Sequence, residues 1–150
     1  MTELLSFNPP HLSVGGTTSL GAALKLLTKS FDQEVRKTSE TQKGDWKPLV
    51  FLMTDGMPTD SWEKAADELK KKKPANIIAC AAGSGADEQL LKRITEIVLK
   101  LDNLQPDTLK QFFKWVSQSI KQTSQSVAQV MADDQPINLP PPPQGIQIVP

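Results

Sequence analysis

The stretch that decides the fold is Leu49-Val50-Phe51-Leu52-Met53-Thr54-Asp55-Gly56, an apolar run that leads directly into a carboxylate. A second apolar run follows at residues 77–82. Continuously apolar runs of this length, bounded by turn-forming residues, are typical of strands buried on both faces of a parallel sheet. We therefore predict two central strands.

Helical patterns alternate with these strands. Apolar residues recur at helical spacing after the Gly-rich segment 15–18. A polar helix is predicted from Thr59 or Asp60, one of which is its N-cap, to Lys73. Further elements are expected at residues 90–94 (helix), 96–101 (strand) and 109–120 (amphipathic helix). The alternation predicts an α/β fold with a parallel sheet.

Composition narrows the class of protein. The chain has 150 residues, enough for one domain with a sizeable core. Because 17 basic residues balance 17 acidic ones, the charge gives no reason to expect a nucleic-acid partner. Cys80, the single cysteine, excludes an intramolecular disulfide and is predicted to lie in the core. Without a signal peptide or a membrane-length apolar run, we expect a soluble cytoplasmic protein with no membrane partner.

The end of the chain differs in composition from the rest. From about residue 125 it is polar and Gln-rich, and residues 139–143 read Leu-Pro-Pro-Pro-Pro. Such a sequence continues neither a helix nor a central strand. We predict one domain over residues 1–124 and an extended, mobile tail over 125–150. A proline run of this kind can bind an aromatic groove on a partner protein. We favour the alternative interpretation, that the run is a spacer.

The candidate functional residues follow from the predicted sheet. Ligands of open α/β sheets bind outside the carboxyl ends of the strands, and Asp55 occupies such a position. It is either a ligand or a structural cap of the next helix. Thr17 and Thr18 belong to a Gly-rich loop that leads into a helix, and taken alone this loop is equally well explained as a flexible cap.

Taken together, three segments resemble two of the three motifs of the metal site in von Willebrand factor A domains. They are GGTTSLGAAL (15–24), DWKP (45–48) and TDGMPTD (54–60). The similarity is greatest to TerY-like proteins of tellurite-resistance clusters and covers residues 4–124. It implies a Rossmann-like three-layer sandwich with a metal-ion-dependent adhesion site. In such a site, hydroxyl and carboxylate oxygens bind Mg²⁺ or Mn²⁺, and an acidic residue of a protein partner completes the coordination shell of the ion.

The resemblance also assigns metal ligands. By motif position, Thr18 is the loop threonine, Thr17 is its alternative because the threonine is doubled, and Asp55 is the carboxylate. The family's first motif, Asp-x-Ser-x-Ser, does not occur in this sequence. The resemblance therefore implies a truncated domain without its first strands and helix, in which metal binding is weak or lost. It further implies an apolar, unpaired edge at the strand ending in Asp55, and poor solubility.

The function implied by the resemblance is a non-enzymatic, metal-dependent protein-interaction module in tellurite resistance or related stress signalling. A phosphatase or a kinase is the implied partner. Two alternatives stay open at this point. One is a metal-dependent phosphoryl-transfer enzyme with Asp55 as nucleophile, which would need further acidic ligands. The other is an inert remnant of a truncated protein.

Overall fold

The computed structural model describes residues 2–13, 15–83, 85–129, 137 and 139–150. The helices are α1 (Leu20–Glu34), α2 (Glu63–Lys72), α3 (Glu88–Ile94) and α4 (Pro106–Gln129), preceded by a short 3₁₀ turn (Leu4–Ser6). The strands are β1 (Leu49–Thr54), β2 (Asn76–Ala82), β3 (Ile97–Leu101) and β4 (Ile146–Ile148). In these ranges no helix is long and apolar enough to cross a membrane.

The strands form one sheet in the order β1-β2-β3-β4. β1, β2 and β3 run parallel, and β4 runs antiparallel to β3. Parallel neighbours need a crossover connection, and α2 and α3 supply it between successive strands. The predicted α/β, Rossmann-like fold with parallel central strands is confirmed.

Strand β2 is covered on both faces. Its odd-numbered residues from Ile77 to Ala81 share a core with α1, α2 and α3, whereas its even-numbered residues from Ile78 to Ala82 share a second core with α4. This split follows from the alternation of side chains along a strand. The sheet is therefore the middle layer of three. Cys80 lies in the second core as predicted, and burial raises the pKa of its thiol to about 12.

Helix α2 begins later than predicted. Its first residue is Glu63, and its N-cap is Trp62, whose side chain makes no capping hydrogen bond. The prediction that Thr59 or Asp60 caps this helix is therefore wrong. The carboxylate of Asp60 caps α1 instead, because the tertiary fold brings the first turn of α1 next to it. The end of α2 is close to the predicted stop, since Lys73 is the C-cap and adopts the left-handed conformation (φ 45°).

The C-terminal segment returns to the sheet. Ile146 in β4 is only 4% exposed, and the indole N–H of Trp115 donates a hydrogen bond to the carbonyl of Pro140 at 2.9 Å. A proline run leaves its carbonyls without partners of its own, so such a carbonyl is free to accept. At residues 139–150 the structure thus differs from the expected mobile tail. The domain boundary at residue 124 stays a prediction.

Replacing Ile146 by Asp tests this docking. Loss of the buried side chain costs about 1.5–3 kcal/mol, and the new carboxylate resists burial. We expect β4 to detach, the thermal midpoint to fall and the fluorescence of Trp115 to shift to the red. Ile148→Asp is the matched control, because Ile148 lies in the same strand and is 54% exposed. Equal effects of the two variants would contradict the docking.

Candidate metal site at the carboxyl end of β1

Asp55 lies where β1 ends, and its side chain is exposed. The turn after it is held by Thr54, whose Oγ1 donates a hydrogen bond to the carbonyl of Gly56 at 3.1 Å. The loop after β2 comes very close, because a Cβ added to Gly85 would lie 2.7 Å from the carbonyl oxygen of Asp55. Only glycine permits such an approach of two backbones. Asp55 is therefore presented at the edge where the parallel strands end.

The threonine loop is tied to the chain that follows Asp55. The carbonyl of Thr18 accepts hydrogen bonds from the backbone N–H of Thr59 at 2.9 Å and from its Oγ1 at 3.3 Å. Thr18 is half-buried, whereas Thr17 is exposed. The structure thus brings together the two segments that carry the predicted ligands, although they are far apart in sequence. On the side of the threonine loop the contact uses only the backbone carbonyl of Thr18, so the hydroxyls of Thr17 and Thr18 take no part in it.

Asp60 completes this link between the two segments. Its Oδ1 accepts from the backbone N–H of Gly21 and its Oδ2 from that of Ala22, both at 2.9 Å. The first N–H groups of a helix have no intrahelical acceptor, and a carboxylate there also interacts favourably with the helix dipole. The N–H of Gly21 is the main reason that the pKa of Asp60 lies below its ordinary value of 3.8.

Sequence reasoning missed this role of Asp60. Ser19 stands at the N-cap position of α1 but makes no side-chain capping bond. The acceptor comes instead from a residue 39 positions away, a separation that no local pattern reveals. Gly21 is the one sequence signal, because a Cβ there would collide with the carbonyl oxygen of Ser61. A glycine in the first turn of a helix therefore marks a close approach of another segment.

The oxygen donors at the carboxyl end of β1 are of the chemical type that binds a hard cation. Mg²⁺ prefers oxygen ligands and keeps several waters. Asp55 offers a carboxylate, and Thr17 and Thr18 offer hydroxyls. Asp60 is already engaged, since both of its oxygens accept from α1. Across the described residues no group of three or more His, Cys, Asp or Glu side chains is placed to hold a metal. The donor set thus fits Mg²⁺ in chemistry but is small.

Comparison with known families accounts for this arrangement of sheet, loop and strand end. The model of the von Willebrand factor type A domain matches residues 10–100, a range that contains Thr17, Thr18 and Asp55. The chain therefore belongs to the von Willebrand factor type A domain family. No curated protein and no solved structure matches it.

Asp60→Ala tests the link between the two segments. The hydrogen bonds lower the pKa of Asp60 in the folded state. The stability that they contribute is therefore fully present at a pH above the pKa of Asp60 in the unfolded chain. It is lost as the pH falls through the lower pKa of Asp60 in the folded chain. At neutral pH the variant should lose a few degrees of thermal midpoint, as cap variants do. Its deficit should shrink as the pH falls below about 4.

The readout is the thermal midpoint of both proteins over an acid pH series, together with hydrogen exchange of the Gly21 and Ala22 amides. Asp87→Ala is a useful comparison, because Asp87 caps α3 through bonds to Gln89 and Leu90. It should destabilise the fold without speeding exchange in the first turn of α1. Unchanged exchange at Gly21 in Asp60→Ala would rule out the cap.

Proposed function

We propose that this chain is a protein-interaction module that engages an acidic residue of its partner through a divalent ion held by Thr18 and Asp55. Domains of the von Willebrand factor type A family are typically protein-interaction modules. The proposal extends that general role to a metal-dependent contact. Mg²⁺ or Mn²⁺ is the proposed ion.

One observation carries the proposal. The backbone of Thr18 is bonded to Thr59, and the carboxylate of Asp60 is bonded to the first turn of α1. These bonds keep a hydroxyl-bearing loop beside the chain that leaves β1 at Asp55. A carboxylate and a hydroxyl held on such a frame lose little conformational entropy when they bind an ion. Preorganised donors of this kind favour binding by a small ligand set.

The small ligand set also determines how the ion would be used. Mg²⁺ takes near-octahedral oxygen coordination. With Asp55 and one threonine as protein ligands, and no Asp-x-Ser-x-Ser run in the sequence, most positions would fall to water. A carboxylate of the partner would replace one of these waters. We therefore propose weak binding of the ion by the chain alone and tighter binding in the complex.

The biological setting is proposed from the resemblance to TerY-like proteins. That resemblance favours a cytoplasmic role in tellurite resistance or related stress signalling, with a phosphatase or a kinase as partner. The proposed role is one of binding without turnover.

Isothermal titration of the purified chain with Mg²⁺ and with Mn²⁺ tests the metal site. We expect weak, saturable binding that is lost in Asp55→Ala, because that change removes the carboxylate ligand. Asp32→Ala is the matched control, since it removes an exposed carboxylate of α1. It lies twelve residues along α1 from Leu20, about 18 Å from the start of the helix. This control should bind as the wild type does.

The identity of the threonine ligand is tested by Thr18→Val and Thr17→Val. Each removes a hydroxyl and keeps a β-branched side chain, and the backbone bond from Thr59 to Thr18 is retained in both. We expect the larger loss of affinity in Thr18→Val. A folded wild-type chain that binds neither ion would disprove the metal-dependent part of the proposal, and circular dichroism shows whether the chain is folded.

A further inference from the structure

The indole of Trp115 binds the proline run of the C-terminal segment to α4. Trp115 is only 2% exposed, and its N–H donates a hydrogen bond to the carbonyl of Pro140 at 2.9 Å. A buried indole needs an acceptor for its N–H, and a polyproline helix offers carbonyls that its own backbone leaves unpaired. Aromatic-lined grooves recognise proline-rich peptides by contacts of this kind. The structure thus shows a proline-rich ligand in place on α4, and that ligand is part of the same chain.

Trp115 belongs to a row of four side chains along one face of α4, which we call the α4 stripe. Its members are spaced at i, i+3, i+4 and i+7, and they are Gln111, Lys114, Trp115 and Gln118. Side chains at this spacing lie one above another along a helix. Together with Pro141 and Pro143 they line a cavity of about 410 Å³. Every member of the stripe carries an N–H donor, whereas a run of prolines offers only acceptors.

The stripe and the proline run match in length. The first and last members of the stripe are seven residues apart, which corresponds to a rise of about 10 Å in an α-helix. Four prolines in a polyproline helix, at about 3.1 Å each, extend about 9 Å from the first to the last. The run begins at Trp115, where Pro140 accepts the indole bond. Two residues after the run, a Cβ added to Gly145 would lie 3.7 Å from the side chain of Thr108, close to the start of α4. The run therefore passes along α4 in the antiparallel direction.

The run is held by fewer bonds than the strand that follows it. Among the described residues, the indole bond is the one hydrogen bond made by residues 140–142, and proline has no N–H to donate. After the run, the N–H of Val149 donates to the carbonyl of Val98, and Nζ of Lys92 donates to the carbonyl of Val149, both at 2.8 Å. The side chain of Ile146 is also buried. The run can therefore leave the stripe while β4 stays in the sheet.

We propose that the α4 stripe is a binding site for proline-rich segments, and that a proline-rich segment of a partner protein binds it by displacing residues 140–143. A carbonyl of the partner accepts from the indole N–H of Trp115, and the partner's proline rings replace those of the resident run. The cavity beside the run is the place of entry, because it lies between the stripe and the rings of Pro141 and Pro143.

The resident run sets the affinity for such a partner. It lies in the chain between α4 and β4 and is tethered on both sides. It therefore competes for the stripe at an effective concentration on the order of millimolar. A partner segment binds weakly while the run is in place and more tightly once the run is released. The run is thus a built-in competitor of external proline-rich ligands.

The site is separate from the proposed metal, so its test is made on the full chain in EDTA. The probe is a fluorescein-labelled peptide, Leu-Pro-Pro-Pro-Pro-Gln, which has the sequence of residues 139–144. Its fluorescence polarisation is measured with the wild type and with a four-serine variant, which combines Pro140→Ser, Pro141→Ser, Pro142→Ser and Pro143→Ser. Because the variant lacks the competitor, it should bind the peptide about tenfold more tightly or better. The control peptide Leu-Ser-Ser-Ser-Ser-Gln should bind neither protein.

Trp115→Phe, introduced into the four-serine variant, tests the recognising group. The change keeps an aromatic ring and removes the N–H, so the affinity for the proline peptide should fall about three- to tenfold. Trp46→Phe is the matched control, because it removes the half-exposed indole of a residue outside the stripe. It should leave the affinity unchanged.

The wild-type chain provides a test that does not depend on the folding of any variant. A nitroxide attached to the N-terminus of the proline peptide should broaden the indole NMR resonance of Trp115 at millimolar peptide. The resonance of Trp62 should broaden less, because Trp62 packs against the core on the opposite face of the sheet. Equal broadening of the two resonances, or none, would overturn the proposal.

Three results of the binding measurements would also overturn it. The first is a four-serine variant, folded by circular dichroism, that binds the proline peptide no better than the serine peptide. The second is a wild-type chain that binds as tightly as this variant, since the resident run would then not compete. The third is equal affinity of the Trp115→Phe and Trp46→Phe variants.

Discussion

The structure depends on the need of strand β2 to be covered on both faces. Seven residues from Asn76 to Ala82 form this strand, and all but the first are buried. A parallel strand is joined to its neighbour by a crossover helix, and such a helix covers only one face. The other face is covered here by α4, through a core that includes Phe112 and Trp115. Three layers are the consequence of that single requirement.

The same requirement places the candidate site. Parallel strands present their carboxyl ends at one edge, so the loops that leave β1 and β2 meet there. The close approach of Gly85 to Asp55 is a consequence of that meeting. The loop after β1 also reaches the start of α1, where Asp60 caps the helix. Asp55 and Asp60 lie in the same connection between β1 and α2 but have different roles. One carboxylate binds backbone N–H groups, and the other faces solvent and is the one available to a ligand.

The two edges of the sheet differ in how they end. β4 closes one edge with a short antiparallel strand, which buries Ile146 against the α4 side. At the other edge of the described sheet lies β1, whose sequence is apolar.

The sequence by itself determined the elements whose signal is local. Apolar runs predicted β1 and β2, the alternation of strands and helices predicted β3, and helical periodicity predicted α1 and α4. These signals are local because the buried residues of a strand or helix recur at the spacing of that element. Local sequence also singled out Asp55 as a residue at a strand end. Tertiary structure alone decided that Asp60 caps α1 and that residues 146–148 form a strand. Both depend on partners distant in the chain, Gly21 for Asp60 and β3 for Ile146. A short polar turn and a proline-rich tail acquire structure only from the surface against which the fold places them.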